Sequence, residues 1–101
     1  MSGRRSRDKG ARTERALTRL LLGYGVPARK VSAMYKRGED LRVMVGAIER
    51  SVEVKSRAAG FRQLYDWLKQ RDLLIVKADR QEPLVVVRLS LAAEIAKAGG
   101  A

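Results

Sequence analysis

The chain has 101 residues, enough for one modest core, and 46% of them are hydrophobic, too many for a wholly disordered chain. It carries 22 Lys and Arg against 11 Asp and Glu, a formal net charge of +11, which makes a polyanion the first partner to expect, with nucleic acid ahead of a membrane surface. It has neither cysteine nor histidine, so disulfides, thiolate chemistry, histidine-ligated zinc and a histidine general base are excluded, and the oxygen ligands that remain favour a hard cation such as magnesium or manganese if any metal binds.

Residues 1–8, MSGRRSRD, are small and charged with no apolar period, and read as a flexible basic arm carrying Arg4, Arg5 and Arg7. This start has no apolar signal core, and no apolar run in the chain approaches bilayer length, so neither secretion nor membrane insertion is expected. A helix is predicted from near Lys9 to near Gly23. Ala16, Leu17, Leu20, Leu21 and Leu22 give it an apolar stripe, and Arg12, Arg15 and Arg19 recur on another side. Gly23 and Gly25 stop it and Pro27 fixes the next turn. Residues 28–39 are ambiguous: Val31 and Met34 suit either a short strand or an irregular crossing, and Lys36, Arg37 and Gly38 look exposed.

Residues 40–47, DLRVMVGA, read as a strand, with a hairpin turn around Ala47-Ile48 and a return strand over 50–56. A second helix is expected over roughly 60–70, with Phe61, Leu64, Tyr65 and Leu68 inward and Trp67 in the core or an interface. Leu73-Leu-Ile-Val76 is a continuous apolar strand, the pattern of a strand covered on both faces. A turn over 79–83 leads to a strand at 84–87, then a last helix over 91–98, capped by Ser90 and ended by Gly99-Gly100. The expected architecture is α/β, a small mixed central sheet flanked by helices, forming a single domain over 9–98 with a flexible tail at 99–101.

The charge is concentrated early. Residues 1–57 hold 15 basic and 6 acidic side chains, and within them lie three acids in suggestive places. Glu14 shares a helical face with Leu17 and Leu21. Asp40 opens the first clear strand. Glu53 lies in SVEVKSR, where strand alternation puts Glu53 and Lys55 on one side and Val52 and Val54 on the other. A hairpin joining the two strands brings Asp40 and Glu53 to the same sheet end. Two accounts remain open for the triplet: a surface ion pair on an edge strand, or a site in which carboxylates hold a divalent cation. In the second account the Val54 carbonyl is a further ligand, and Lys55 stabilises charge during phosphodiester hydrolysis.

Glu14, Asp40 and the Glu53-Val54-Lys55 triplet resemble the active site of the PD-(D/E)XK nuclease superfamily, and most of all its small Holliday-junction-resolvase-like branch. The stretch Gly10-Ala-Arg-Thr-Glu14-Arg-Ala-Leu17 is similar to that branch's first helix, Gly38-Glu-Asp40-Leu41 to its aspartate segment, and Ser51–Arg57 to its signature strand. Gln63 matches a glutamine of the following helix that helps position substrate or water. The likeness covers roughly residues 8–89. It implies a restriction-endonuclease-like fold, with Glu14, Asp40, Glu53, Lys55 and Gln63 catalytic, and Mg2+ (or Mn2+) held by Asp40, Glu53, Glu14 and the Val54 carbonyl. It implies a homodimer that cuts branched or structured duplex DNA in recombination and repair, in the cytoplasm of a prokaryote or encoded by a phage.

Arg4, Arg5, Arg7, Lys9, Arg12 and Arg15 are then expected on phosphate, because they form a charge field without a base-reading element, and Ser56 and Arg57 are expected on phosphate beside the triplet. Met34, Trp67 and the strand 84–87 are candidates for the dimer surface. Two other readings stay open: a non-catalytic nucleic-acid binder of the same fold, and a small basic RNA-associated structural protein.

Overall fold

The computed structural model describes the backbone of residues 2–31 and 39–99, and side chains from Gly10 onward within that range. The expectations for Met34, Lys36, Arg37 and Gly38 lie outside the described residues, as do the side chains of Arg4, Arg5, Arg7 and Lys9. Among the described residues three helices and five strands follow one another: α1 Ser2–Gly23, β1 Ala28–Lys30, β2 Leu41–Val45, β3 Ile48–Val52, α2 Arg62–Leu68, β4 Leu73–Val76, β5 Leu84–Val87 and α3 Leu89–Ala98. The result is a small α/β fold. Its strands form two sheets, β1-β2-β3 and β4-β5, where the sequence suggested one central sheet. Among the described residues every strand pairing within these sheets is antiparallel, not mixed. The chain groups into two compact units, one running to Ser56 and resuming at Ala93, the other Arg57–Ala92.

In the first unit α1 begins at Ser2, earlier than the start near Lys9 read from the sequence. Arginine and lysine are good helix formers and no proline interrupts them, so the basic run extends the helix instead of preceding it. Glu14, Leu17, Thr18 and Leu21 form its inward face, spaced i, i+3, i+4, i+7, and α1 packs on β1. Ala16, Leu20 and Leu22 are exposed, so the apolar stripe is narrower than composition suggested.

The helix ends in a Schellman motif. Gly25 takes φ +86°, its N–H donates to Leu22 O at 3.0 Å, and the Val26 N–H donates to Leu21 O at 2.9 Å. Both Val26 and Leu21 are buried, which supplies the apolar contact that goes with this cap. The chain thereby turns back at once into β1, and Pro27 O accepts the Met44 N–H at 2.9 Å.

β2 is the middle strand, with registers Ala28↔Val43 and Lys30↔Leu41 on one side and Leu41↔Val52 and Val45↔Ile48 on the other. The β2–β3 turn is Gly46-Ala47, one residue earlier than expected. Gly46 takes φ +64° while Ala47 does not enter the positive-φ region, the pattern of a type II′ hairpin with glycine first. Leu41 and Val43 are buried, and Leu41 is only 1% exposed. On the opposite face Arg29 and Arg42 stand directly across from one another, a repulsive arrangement on its own. Glu49 resolves it, accepting from Arg29 Nε at 3.2 Å and from Arg42 Nε at 3.2 Å.

In the second unit Leu64 and Leu68 form the inward face of α2, with Phe61 at its N-cap continuing the i, i+3, i+7 spacing, and Leu68 is buried. Tyr65, expected inward, is 75% exposed and Trp67 is 53% exposed, because neither falls on that face. The Arg88 guanidinium closes the C-terminus of α2, donating to Leu68 O at 3.3 Å and to Arg71 O at 2.9 Å. Leu73 and Ile75 are exposed, contrary to the expectation of a strand covered on both faces, because β4 belongs to a two-stranded ribbon packed on α2. α3 starts at Leu89 with the Arg88 carbonyl accepting from Leu91 and Ala92, so Ser90 lies in the first turn and is not the cap. Among the described residues no helix is long and apolar enough to cross a membrane.

Two predictions follow from the three-stranded sheet. Leu41→Ala leaves a void at the most buried side chain and should lower unfolding free energy by about 2–5 kcal/mol in urea titration. The Arg29 hydrogen bond, with that of Arg42 and against partial desolvation, holds the Glu49 carboxyl below its ordinary 4.5. A lowered folded pKa gives stability that is complete above the unfolded value and is lost as pH falls through the folded one. The stability difference between the wild type and Glu49→Gln should therefore shrink as pH falls from 6 to 3, and shrink also at high salt, in thermal melts.

Candidate active site at the end of the three-stranded sheet

The site is built where β2 begins and β3 ends. The register Leu41↔Val52 leaves Asp40 and Glu53 one step beyond the same ladder end. β3 stops at Val52, so Glu53 lies just past the paired strand and not within it, as the sequence suggested. Asp40 carries the pairing onward: its N–H donates to Val52 O at 2.7 Å, and its Oδ2 accepts the Val54 N–H at 2.7 Å. The Asp40 carbonyl in turn accepts the Val31 N–H at 3.1 Å. A side-chain carboxylate thus takes the place of the next backbone carbonyl. This accounts for Asp40 lying 9% exposed, since a charge-assisted bond offsets the cost of removing a carboxylate from water.

Beyond the ladder, which ends at Val52, residues 53–56 keep the alternating burial of a strand. Val52, Val54 and Ser56 are half-buried, while Glu53 and Lys55 are exposed. The two charged side chains meet as the two-residue period requires, with Lys55 Nζ 3.5 Å from Glu53 Oε1 and side-chain exposures of 57% and 60%. An ammonium and a carboxylate are therefore presented side by side to solvent, next to a backbone segment gripped by a buried aspartate.

Glu14 arrives from α1. Its side chain is 12% exposed, and Lys30 Nζ on β1 stands 3.8 Å from its Oε1. The Thr18 hydroxyl donates to the Glu14 carbonyl at 2.8 Å, one turn along the same face. Lys30 was not singled out from the sequence. The signal was the inward position of Glu14, since a half-buried acid calls for a cation nearby, but its partner lies 16 positions away on another element. Arg12, Arg15 and Arg19 are exposed on α1, in agreement with their helical spacing. In the second unit, Gln63 is exposed on α2 and Arg57 is exposed.

The structure brings Asp40 to Val54, Glu53 to Lys55 and Glu14 to Lys30. Among the described residues it does not gather three carboxylates into a group able to hold a metal ion. The chemistry of the set still suits a hard cation: three carboxylates and the Val54 carbonyl are all oxygen donors. A separate open hollow of ≈ 390 Å³, lined by Val76, Lys77, Ala78, Gln81, Glu82 and Leu84, offers one lysine and one glutamate and no comparable constellation.

Asp40→Ala removes the acceptor of the Val54 N–H and should cost about 1–3 kcal/mol. Asp40→Asn retains an acceptor oxygen and should cost less. Amide hydrogen exchange checks the assignment, with Val54 exchanging faster in the alanine variant than in the asparagine one. No family model, no curated protein and no solved structure matches the chain.

Proposed function

We propose that the chain is a metal-dependent DNA endonuclease of restriction-endonuclease-like fold, acting on branched or structured duplex DNA such as a Holliday junction. The observation that carries this reading is the bond from the Val54 N–H to the Asp40 carboxylate, which joins the aspartate to the Glu53-Val54-Lys55 triplet at one sheet end. The two parts are 13 to 15 positions apart in sequence, and a surface ion pair between Glu53 and Lys55 needs no such anchor.

In this reading Asp40, Glu53, the Val54 carbonyl and Glu14 are the ligands of Mg2+ or Mn2+. When bound, the cation supplies Lewis-acid polarisation of the scissile phosphate and a more acidic water. Lys55, at the solvent face, stabilises the charge that builds on the phosphate as the water oxygen bonds to phosphorus and the bridging P–O bond breaks. The proton lost by the water balances the one gained by the leaving oxygen. Arg12 and Arg15 on α1, with Arg4, Arg5, Arg7 and Lys9 earlier on the same helix, bind phosphates, and Ser56 and Arg57 do so beside the triplet. A homodimer supplies two such sites for paired nicks. The exposed Trp67 on α2, with Leu84 and Val85 on β5, offers apolar surface for it, and the charges of Lys77, Asp79, Arg80 and Glu82 between β4 and β5 cancel.

A second reading, a non-catalytic nucleic-acid binder, is favoured by one observation: each acid has its own partner, Lys30 for Glu14, Lys55 for Glu53 and the Val54 amide for Asp40. Cleavage of junction, flap and linear duplex DNA with and without Mg2+ separates the two. Asp40→Asn and Glu53→Gln should each abolish cleavage and leave DNA affinity intact or higher, since each removes a negative charge from a surface meeting phosphate. Lys55→Ala should lower the single-turnover rate by about 10²-fold with little change in affinity. Magnesium-independent binding with no cleavage of any substrate by the wild type would favour the binder, an RNA-associated structural role included.

A further inference from the structure

We infer that the outward face of α1 is a tether for the phosphodiester backbone of a double helix, on the opposite side of the first unit from the Glu53-Val54-Lys55 triplet. Glu14, Leu17 and Leu21 lie on the side of α1 that packs on β1, while Arg12, Arg15 and Arg19, spaced i, i+3, i+7, are exposed on the other side. Among the described residues no carboxylate pairs with any of the three. The helix as a whole holds seven basic and two acidic residues, a net of +5 within a chain of +11. The phosphate role of Arg12 and Arg15 thereby gains a third residue, Arg19, and a direction.

The far face of the sheet is arranged differently. Lys30, Leu41 and Val52 stand opposite one another in the ladder and share a face, and Lys30 meets Glu14 there, so this is the α1 side. Alternation puts Arg29 and Arg42 on the other face and, past the ladder, Glu53 and Lys55 as well. On that face each base has an acid. Arg29 and Arg42 share Glu49, Arg42 also lies 3.6 Å from Glu39, and Lys55 lies beside Glu53. These three bases and three acids cancel, so a polyanion approaching this unit is drawn to α1 and not to the face of the triplet.

The occupant follows from charge and from what the helix lacks. Arg12 to Arg19 is a rise of about 10 Å, over which a duplex presents about six phosphate charges. Proteins that hold single strands add aromatic platforms on which bases stack. α1 contains no aromatic residue, so its row of guanidiniums suits a backbone whose bases are already paired. The tether concerns binding alone and is independent of cleavage.

The experiment is fluorescence anisotropy in EDTA over a range of salt, with the full-length protein titrated into labelled duplex DNA, duplex RNA and single-stranded DNA of equal length. Vesicles containing phosphatidylserine are a fourth probe. The proteins are the wild type, Arg12→Gln/Arg15→Gln/Arg19→Gln, the same three residues changed to lysine, Arg62→Gln/Lys69→Gln/Arg80→Gln, and Lys55→Ala, each checked for folding by circular dichroism. At about 0.1 M salt the α1 glutamine variant should bind duplex roughly 10- to 100-fold more weakly, and its slope of log K against log salt should flatten by about two to three. The lysine variant keeps the point charges and should match the wild type. The second-unit variant loses the same charge, yet it and Lys55→Ala should each change affinity by less than about threefold. Preference between the two duplexes identifies the source of the backbone, and the arginine dependence should hold on the preferred one. An equal loss in the second-unit variant overturns the inference, because the whole field and not α1 would then hold the duplex. So does an equal loss in Lys55→Ala, which would merge the two surfaces. A single strand or a vesicle bound more tightly than either duplex overturns the occupant and the inference with it. Duplex binding that depends on α1, in a wild type that cleaves nothing when Mg2+ is added, sustains the tether and overturns the proposed endonuclease.

Discussion

One carboxylate organises the site. Asp40 sits where a ladder ought to end, and its backbone N–H and side-chain Oδ2 take up the strand opposite at Val52 and Val54. Burying an acid is costly, and the cost is offset here by an amide that would itself need a partner. Past the last paired residue, Val52 and Val54 stay half-buried while Glu53 and Lys55 are exposed, so the two charged side chains share the solvent side.

The elements legible in the sequence were those set by local chemistry. The α1 terminus was readable because Gly25 alone of its neighbours adopts φ +86° without strain and Pro27 forbids further helix. The hairpin was readable from apolar runs around Gly46, and the shared side of Glu53 and Lys55 from the two-residue period. The position of the turn was missed by one residue, because Gly46-Ala47 and Ala47-Ile48 both suit a two-residue loop until the φ of Gly46 is known. The start of α1 was missed for a different reason: the charge of residues 1–8 hides a good helix propensity.

What was not legible depends on contacts between elements. Tyr65 belongs to the same apolar run as Leu64 and Leu68, and only the direction of α2 relative to its ribbon shows that it points outward. The separation of β4–β5 from β1–β3 has no local signature. Within the candidate site, the sequence suggested that Asp40 and Glu53 share a sheet end but gave no hint that Asp40 would bond an amide of the triplet itself. The Glu14–Lys30 pair joins a helix to a strand 16 positions on, and a dozen other basic residues in the first half of the chain were equally available to pair with Glu14.

The abundance of bases raises the question of what three acids are doing among them. In a chain of net charge +11, an exposed carboxylate reduces attraction to a polyanion, and a protein that only bound phosphate would gain by losing it. The structure places these acids where that loss is limited: one is buried against an amide and two stand beside lysines. At the distances of a Debye length from which phosphate is first felt, each lysine–glutamate pair is close to neutral and the surrounding arginines dominate the field. At contact range the pairs resolve into separate charges. An arrangement of this kind keeps the long-range field basic while presenting carboxylate oxygens and an ammonium side by side at contact range.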